Sequence, residues 1–480
     1  MKKAIAIIIL GLLFSGNAYA LSQYMAEFTQ WLSDNGYSEY AVGAKPDWSK
    51  CSGDKTASFD YIPLFCYGND GKLLSKNERK IIDKEWEKKK KLDIKFYNSN
   101  EIPEKSKPNR DTSLYYLFRG QLAGSTNSKA GSTKSDNPYQ FEFNLREDKY
   151  IKKQINNTAL LSYLLYEDGK ITIDEITPKD RFGILYKNDT HHTSASVGKS
   201  LVSYVTGNAI CEGYIDGVDH RLNDWPLLEN TLFYDQKLIN LLNMATGHQK
   251  YADSDLKTNK YPKNGNKNTI RFHMKEGVFK NSKKAKSKYQ YTNVLSNILI
   301  NYVWFKSEGK FQDLLDEIFV DKTKVENEVW FEKNNNITIR KENRNNLIKK
   351  EYEVRDEDGP IRYSFQASRY DYLRIAKAML DDWQNDTCVG KYLKTIYERR
   401  ITKNEKGKDP NSSRGYTKGY AGFFHTSYKG MKNRPVMGMD GYGGQSILID
   451  FEKGRIVATM AVHLNYNWKK IVYDPIKKGK

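Results

Sequence analysis

Membrane-spanning segments, a metal-ligand cluster and a complete phosphate loop are all missing from this sequence. Beyond the first 20 residues, no apolar run reaches the roughly 18 residues that a membrane helix needs. Histidine is scarce, at seven residues, and although His191 and His192 are adjacent, no third ligand stands at metal-binding spacing. The pair is expected to be structural, with no metal and no cofactor. Gly198-Lys199-Ser200 reads like the end of a phosphate-binding loop, but Thr193 occupies the position of that loop's first glycine. The preceding "KNDTHH" is no hydrophobic strand either, so a nucleotide-binding loop is excluded. Acidic residues are outnumbered, leaving a net charge of +19. Lys and Asn are enriched along the whole chain, not in one stripe, and no recognition motif accompanies them, so nucleic acid is not an expected partner. No internal repeat is present.

The amino terminus has the pattern of a secretory signal. Lys2 and Lys3 precede an apolar run from Ala4 to Phe14, and Ala18-Tyr19-Ala20 supplies small residues for cleavage after Ala20. Residue 21 is Leu, so nothing points to a lipid anchor. The expectation is a soluble periplasmic or secreted protein. Its four cysteines then matter. Cys51 and Cys66 are close enough for a local disulfide and Cys211 and Cys388 for a long-range one, with other pairings or free thiols left open.

At 480 residues, with 34 Tyr and 20 Phe, the chain can bury a substantial core. Residues 21–150 read as an N-terminal extension of unassigned role. The run "EWEKKKK" (Glu85 to Lys91) is expected on a solvated helix face, and Asn98 to Arg110 and Ala123 to Pro138 as loops or linkers. Regular patterning marks residues 151–480 as the main domain. "ALLSYLLYEDGKITIDEI" predicts a hairpin turning near Asp168-Gly169, and "GGQSILIDFEKGRIVATMAVHL" a second one turning at Glu452-Lys453-Gly454. Between them the sequence reads as largely helical. Leu201, Val202, Val205, Ala209 and Ile210 form an apolar face that should stop at Gly213; "DQKLINLLNMATG" and "SRYDYLRIAKAMLDDW" have the same character. Strands at both ends enclosing helices predict an α+β domain whose terminal hairpins share one sheet.

Shifted by two residues, the glycine-lysine stretch becomes Ser196-Val197-Gly198-Lys199, a Ser-x-x-Lys arrangement. At the start of a helix, residues three apart share a face, so Lys199 can reach the Ser196 hydroxyl. As a base, Lys199 must be partly neutral near pH 7, which burial and the positive end of a helix dipole both promote. Two further stretches accompany it. Tyr291-Thr292-Asn293 stands about 95 residues on, ahead of an apolar helix from Val294 to Trp304, and Tyr442-Gly443-Gly444 is placed at the start of a terminal strand.

Ser-x-x-Lys, Tyr-x-Asn and a glycine-rich strand, in that order, resemble the serine β-lactamase-like superfamily, in particular its class C, esterase and 6-aminohexanoate-oligomer hydrolase branch. "SVGKSLVSYVTGNAICEGYI", "LINLLNMATG" and "GYGGQSILIDFEKGRIV" carry the likeness, which spans roughly residues 150–465. The resemblance implies a β-lactamase/transpeptidase-like fold with an antiparallel sheet and a helical region. It implies Ser196 as acylated nucleophile, Lys199 as its base, and Tyr291 as the group handling the incoming or leaving proton. Lys199, and the basic run Lys280 to Lys288, could lower the Tyr291 phenol enough for it to act as a base. Asn293 would orient substrate and Lys199, Tyr442, Gly443 and Gly444 would bind substrate, and the Ser196 and Gln445 N–H groups would form the oxyanion hole. Penicillin-directed members usually carry Lys-Thr-Gly at the third motif. Tyr442 cannot pair with a carboxylate, which favours a small-molecule or peptide-like ester or amide. A D-amino-acid peptidase and a catalytically idle binder of peptidoglycan or peptide fragments are the alternatives; oligomeric state is open.

Overall fold

The computed structural model describes residue 48 and residues 75–90, 129–179, 183, 186–228, 233–247, 288–333, 361–403 and 412–478. The chain divides into two compact units, one of residues 1–103, 107–126 and 336–346, the other of residues 104–106, 127–335 and 347–480. In the first, helix α1 (Lys76–Lys90) contains the charged run through its last turn. A reciprocal capping box starts it: Glu78 Oε2 accepts from the Ser75 N–H at 2.7 Å and Ser75 Oγ from the Glu78 N–H at 3.3 Å. The Trp48 indole donates to Asp83 at 2.9 Å. The signal segment and the Cys51/Cys66 pair lie outside the described residues.

The second unit opens with β1 (Lys129–Ser132), β2 (Glu142–Phe143), helix α2 (Lys149–Asn157) and the hairpin β3 (Leu160–Glu167) and β4 (Lys170–Ile176). Next come β5 (His192–Thr193), α3 (Val197–Cys211), α4 (Leu238–Leu242), α5 (Val294–Lys306) and α6 (Phe311–Asp316). They are followed by β6 (Val329–Lys333), β7 (Ile361–Ala367), α7 (Arg369–Gln384), α8 (Cys388–Glu398), β8 (Ile401–Thr402) and α9 (Ser413–Tyr416). Then come β9 (Thr417–Ala421), β10 (Phe424–Tyr428), β11 (Val436–Asp440), β12 (Ser446–Asp450) and β13 (Arg455–Ala461), followed by two C-terminal helices, a π-helical turn (Lys469–Tyr473) and α10 (Asp474–Lys478).

Two sheets result. The larger runs β2-β4-β3-β13-β12-β11-β10-β9-β8, so the terminal hairpins meet at β3–β13 as expected. Its pairs are antiparallel except β2 with β4. The smaller runs β1-β6-β7-β5. Two expectations are corrected here. The span between the hairpins is not mainly helical, since it also supplies β5 to β11. Residues 129–132 are not loop, because they pair with β6. β1 lies at an edge and β5 and β8 have two residues each, while β6, β7 and β9 to β11 are buried along most of their length and so lack a simple apolar–polar alternation.

Period-two alternation divides the large sheet between two cores. Leu164, Ile171, Ile447, Ile449, Ile456 and Ala458 face the cluster that contains α3, α5 and α7. Their neighbours Tyr163, Leu165, Ile173, Leu448 and Val457 face the cluster built on α2 and the C-terminal helices. Every residue of β3 is buried, as a central strand covered on both faces requires. Arg369, at the start of α7, ties these layers with an ion pair to Asp174 at 2.6 Å and a bond to Ser162 Oγ at 2.7 Å. Helix α3 is buried all round from Val197 to Ala209, and the polar side chains it encloses, Ser200, Ser203 and Asn208 among them, are satisfied by hydrogen bonds. No helix among the described residues is long and apolar enough to cross a membrane.

A disulfide joins Cys211, at the end of α3, to Cys388, at the start of α8, across 177 residues. This settles one of the pairings left open. Replacing both cysteines by Ser is expected to cost about 2–5 kcal/mol of stability. The check is the denaturant midpoint of the double variant against wild type under oxidising conditions; equal midpoints would show that the crosslink does not constrain the unfolded chain.

Candidate active site

The residues around Ser196 form a tight turn from β5 into α3. The Ser194 N–H donates to the Phe365 carbonyl at 2.7 Å, and Ser194 Oγ accepts the Phe365 N–H at 2.8 Å, pinning the turn to β7. Ala195 is forced to φ +45°, a left-handed conformation that costs a non-glycine residue of order 1–3 kcal/mol. Ser196 then stands at the N-cap of α3. A Cβ at Gly198 would overlap the Tyr363 carbonyl oxygen and come within 2.6 Å of Ser194 Oγ. That glycine serves helix–strand packing, which explains the false likeness to a phosphate loop.

Lys199 Nζ lies 2.7 Å from Ser196 Oγ. Its side chain is 1% exposed, and no carboxylate among the described residues pairs with it. Burial therefore pushes the ammonium far below the ordinary lysine value. Two aromatic faces enclose it, with Nζ 3.7 Å from the Tyr363 ring centroid and 4.9 Å from that of Tyr291. Burial raises both phenols above the usual tyrosine range, and the Ser196 hydroxyl opposes that rise only in part. Tyr291 is held by the segment leading into α5, where the Gln290 N–H donates to the Met244 carbonyl at 2.9 Å. The Arg414 guanidinium carbon sits 5.6 Å from the Tyr291 ring centroid.

The third stretch closes the site as a hairpin turn, not as strand. Asp440 ends β11 and Ser446 starts β12, so Tyr442, Gly443 and Gly444 lie between them. The expected strand position is thereby corrected. The Gly441 N–H donates to the Gln445 carbonyl at 2.7 Å and the Gly444 N–H to the Gly441 carbonyl at 3.1 Å. Gly443 and Gly444 take φ +106° and +98°, which L side chains rarely adopt. A Cβ on Gly441 would strike the Ser194 carbonyl, so the turn abuts the nucleophile's own turn. Neither the Ser196 nor the Gln445 N–H donates a hydrogen bond among the described residues. Tyr442 is 57% exposed at the rim. Beneath it, Asp440 accepts from Ser413 N–H at 2.7 Å and from Ser413 Oγ and Ser446 Oγ at 2.9 Å each, and burial pushes its carboxyl up to about 6.

No protein-family model and no curated relative matches the sequence. Solved structures do match. A Bacillus anthracis protein described as a 6-aminohexanoate-dimer hydrolase aligns over 80% of this chain and 97% of its own, at 14% identity and a TM-score of 0.53. The fold is that of the serine β-lactamase-like superfamily. A penicillin-binding protein from Bacillus halodurans (69% of this chain, 99% of its own, 12% identity, TM-score 0.47) also matches. So does EstCE1, a hydrolase with promiscuous acyltransferase activity (69% and 99%, 10% identity, TM-score 0.46).

On this superfamily fold the expected residues Ser196, Lys199 and Tyr291 converge, and the 441–445 turn joins them. Two expectations fail. The Tyr291 phenol is not lowered: burial, the strongest influence, holds it above the usual tyrosine range, and Arg414 opposes only in part. The same burial strips Lys199 of the charge that was to do the lowering. Of the basic run ahead of Tyr291, residues 280–287 lie outside the described residues. Asn293 does not orient Lys199 either; among the described residues its side chain makes no hydrogen bond, and its carbonyl accepts from Ser296 Oγ at 3.0 Å. His191 bonds the Glu328 carbonyl at 2.7 Å, and His192 stacks on Tyr186, both structural roles. Tyr363, Arg414 and Asp440 had no sequence signal, because nothing local ties positions 363, 414 or 440 to Ser196.

Lys199 carries a folding cost that depends on pH. The unfolded chain keeps this lysine protonated up to about pH 10.4, whereas the fold, by burial, favours the neutral amine. Between the depressed folded value and about 10.4 the unfolded state binds the extra proton, so stability rises with pH and levels off above that range. Lys199→Met should therefore be more stable than wild type at pH 7, with the gap closing toward pH 10. Denaturant titrations at pH 7 and 10 check this; a Met variant less stable at both would mean the lysine is not held neutral.

Proposed function

We propose that the chain is a serine hydrolase that forms an acyl-enzyme at Ser196. The carrying observation is the 2.7 Å approach of a buried, carboxylate-free Lys199 Nζ to Ser196 Oγ. A neutral amine at that distance can accept the hydroxyl proton as Oγ bonds to the substrate's carbonyl carbon. The carbonyl electron pair moves onto oxygen, facing the unengaged Ser196 and Gln445 N–H groups. Collapse expels the leaving group, which takes up a proton passed from Lys199 through the protonated Tyr291 phenol. Water then bonds to the acyl carbon while its proton passes through Tyr291 to Lys199; the C–Oγ bond breaks, Oγ takes that proton back from Lys199, and the acid and free Ser196 are released. Tyr291 acts here as a neutral relay and not as a phenolate base.

The substrate reading is an ester or small amide. Tyr442 offers a stacking face and a hydroxyl where a penicillin-directed site would present a cation, and Gly443 and Gly444 leave room beside it. The Bacillus anthracis neighbour is described as acting on an amide dimer, which supports the same class. Export remains part of the proposal, supported by the signal pattern and by the Cys211–Cys388 disulfide, a bond that persists in oxidising compartments.

Intact-mass analysis after exposure to a fluorophosphonate probe tests the reading. A single adduct is expected on wild type and none on Ser196→Ala or Lys199→Met. Equal labelling of wild type and Ser196→Ala would move the reactive serine elsewhere. No labelling of a folded wild type would favour the idle binder of peptide fragments.

A further inference from the structure

Acylation requires Lys199 to become an ammonium at a place where the fold disfavours one. The groups that face it come from several elements. Ser196 shares its helix, Tyr291 precedes α5, Tyr363 comes from β7, and His425 from β10. Arg414, from α9, lies behind the Tyr291 ring, and Lys403 bonds His425 Nδ1 at 3.1 Å. His425 is kept neutral by burial and by these cations, so it neither repels nor pairs with an ammonium. Asp440 is engaged by Ser413 and Ser446 and makes no ion pair with Lys199. Among the described residues, what remains to attract a cation is the Ser196 oxygen and two ring faces, of which Tyr363 is the nearer at 3.7 Å.

We propose that the Tyr363 ring is the electrostatic partner of the Lys199 ammonium formed during acylation, making Tyr363 a positioning residue supplied by β7 and by none of the three motifs. The proposal rests on the serine-hydrolase reading above. An aromatic face carries the negative lobe of a quadrupole and attracts an ammonium within about 6 Å of its centroid, most strongly where water is excluded. A neutral amine gains far less, so the interaction grows as the proton moves from Oγ to Nζ. It therefore acts on the barrier and not on substrate binding. The ring is held for this role. The Tyr363 N–H donates to Asn297 Oδ1 at 2.9 Å, and its carbonyl closes onto Gly198, where no side chain could fit. Burial keeps the Tyr363 phenol protonated, so it contributes a face and not a charge.

The test compares Tyr363→Phe, which keeps the ring, with Tyr363→Leu and Tyr363→Met, which remove it. Two readouts are followed from pH 5 to 10: the rate of fluorophosphonate labelling at Ser196, and the titration midpoint of Lys199 by 13Cε NMR, assigned with Lys199→Arg. The Phe variant should keep the wild-type midpoint and the acid limb of the labelling profile. The Leu and Met variants should label about 30-fold more slowly, the equivalent of about 2 kcal/mol. Their acid limb should move to lower pH, because removing the face takes away what favours the charged amine. In wild type, an upfield ring-current shift of the Lys199 ε protons is expected and needs no variant. Unchanged limb and midpoint in Leu and Met would overturn the proposal. A loss in Phe as deep as in Leu would assign the role to the hydroxyl and overturn it equally. A wild type without any Ser196 adduct would sink the hydrolase reading, yet the NMR midpoints would still decide whether the ring holds the cation.

Discussion

Burial of Lys199, with no counter-charge among the described residues, is the constraint on which the site depends. An isolated ammonium in a dry interior is costly enough that the group sheds its proton instead. A carboxylate placed beside it would have restored the charge and ended its use as a base. Among the described residues the nearest groups are instead one hydroxyl oxygen and two tyrosine rings, with a neutral His425 beyond them. Those phenols are in turn kept protonated by the same dryness. A single physical condition thus sets the state of three side chains at once, and it couples the chemistry of the site to the integrity of the packing around α3.

That packing explains the local oddities. Helix α3 is buried all round because the smaller sheet, α5, α8 and the larger sheet close around it. The close approach of β7 demands Gly198, and the approach of the β11–β12 turn to Ser194 demands Gly441. Ala195 holds a left-handed backbone between them. These are strained or spatially exacting positions at the point where Ser196 is presented, consistent with stability given up locally for geometry. The strain is tolerated because Arg369, the β3–β13 pairing and the Cys211–Cys388 bond secure the surrounding frame.

Features that arise from neighbours along the chain were legible in advance. The two hairpins show strict turn chemistry, and the Ser196/Lys199 spacing is a property of any helix. Features that need distant segments were not. The phenol of Tyr291 was misjudged because its pKa depends on burial by residues far away in sequence, and on whether Lys199 still holds a proton. Asn293 was expected to orient Lys199, but among the described residues its side chain makes no hydrogen bond to it. Tyr442 to Gly444 were read as strand because alternation begins just after them; the positive φ values of Gly443 and Gly444 belong to the turn. The longer strands of the smaller sheet are buried along most of their length and so show no alternation, and Tyr363 is one tyrosine among 34 until β7 is laid across α3.

Residue order alone specified an α+β chain with its ends in one sheet, a serine and a lysine on one helical face, and a third motif without a cation. These follow from side-chain periods of two and 3.6 residues, which operate over a few neighbours. Only the tertiary structure decided which cysteines pair in the described core, which protons the site holds, and which ring stands over the lysine. Those outcomes depend on solvent exclusion and on contacts between residues more than a hundred positions apart, and neither is a property of any short stretch.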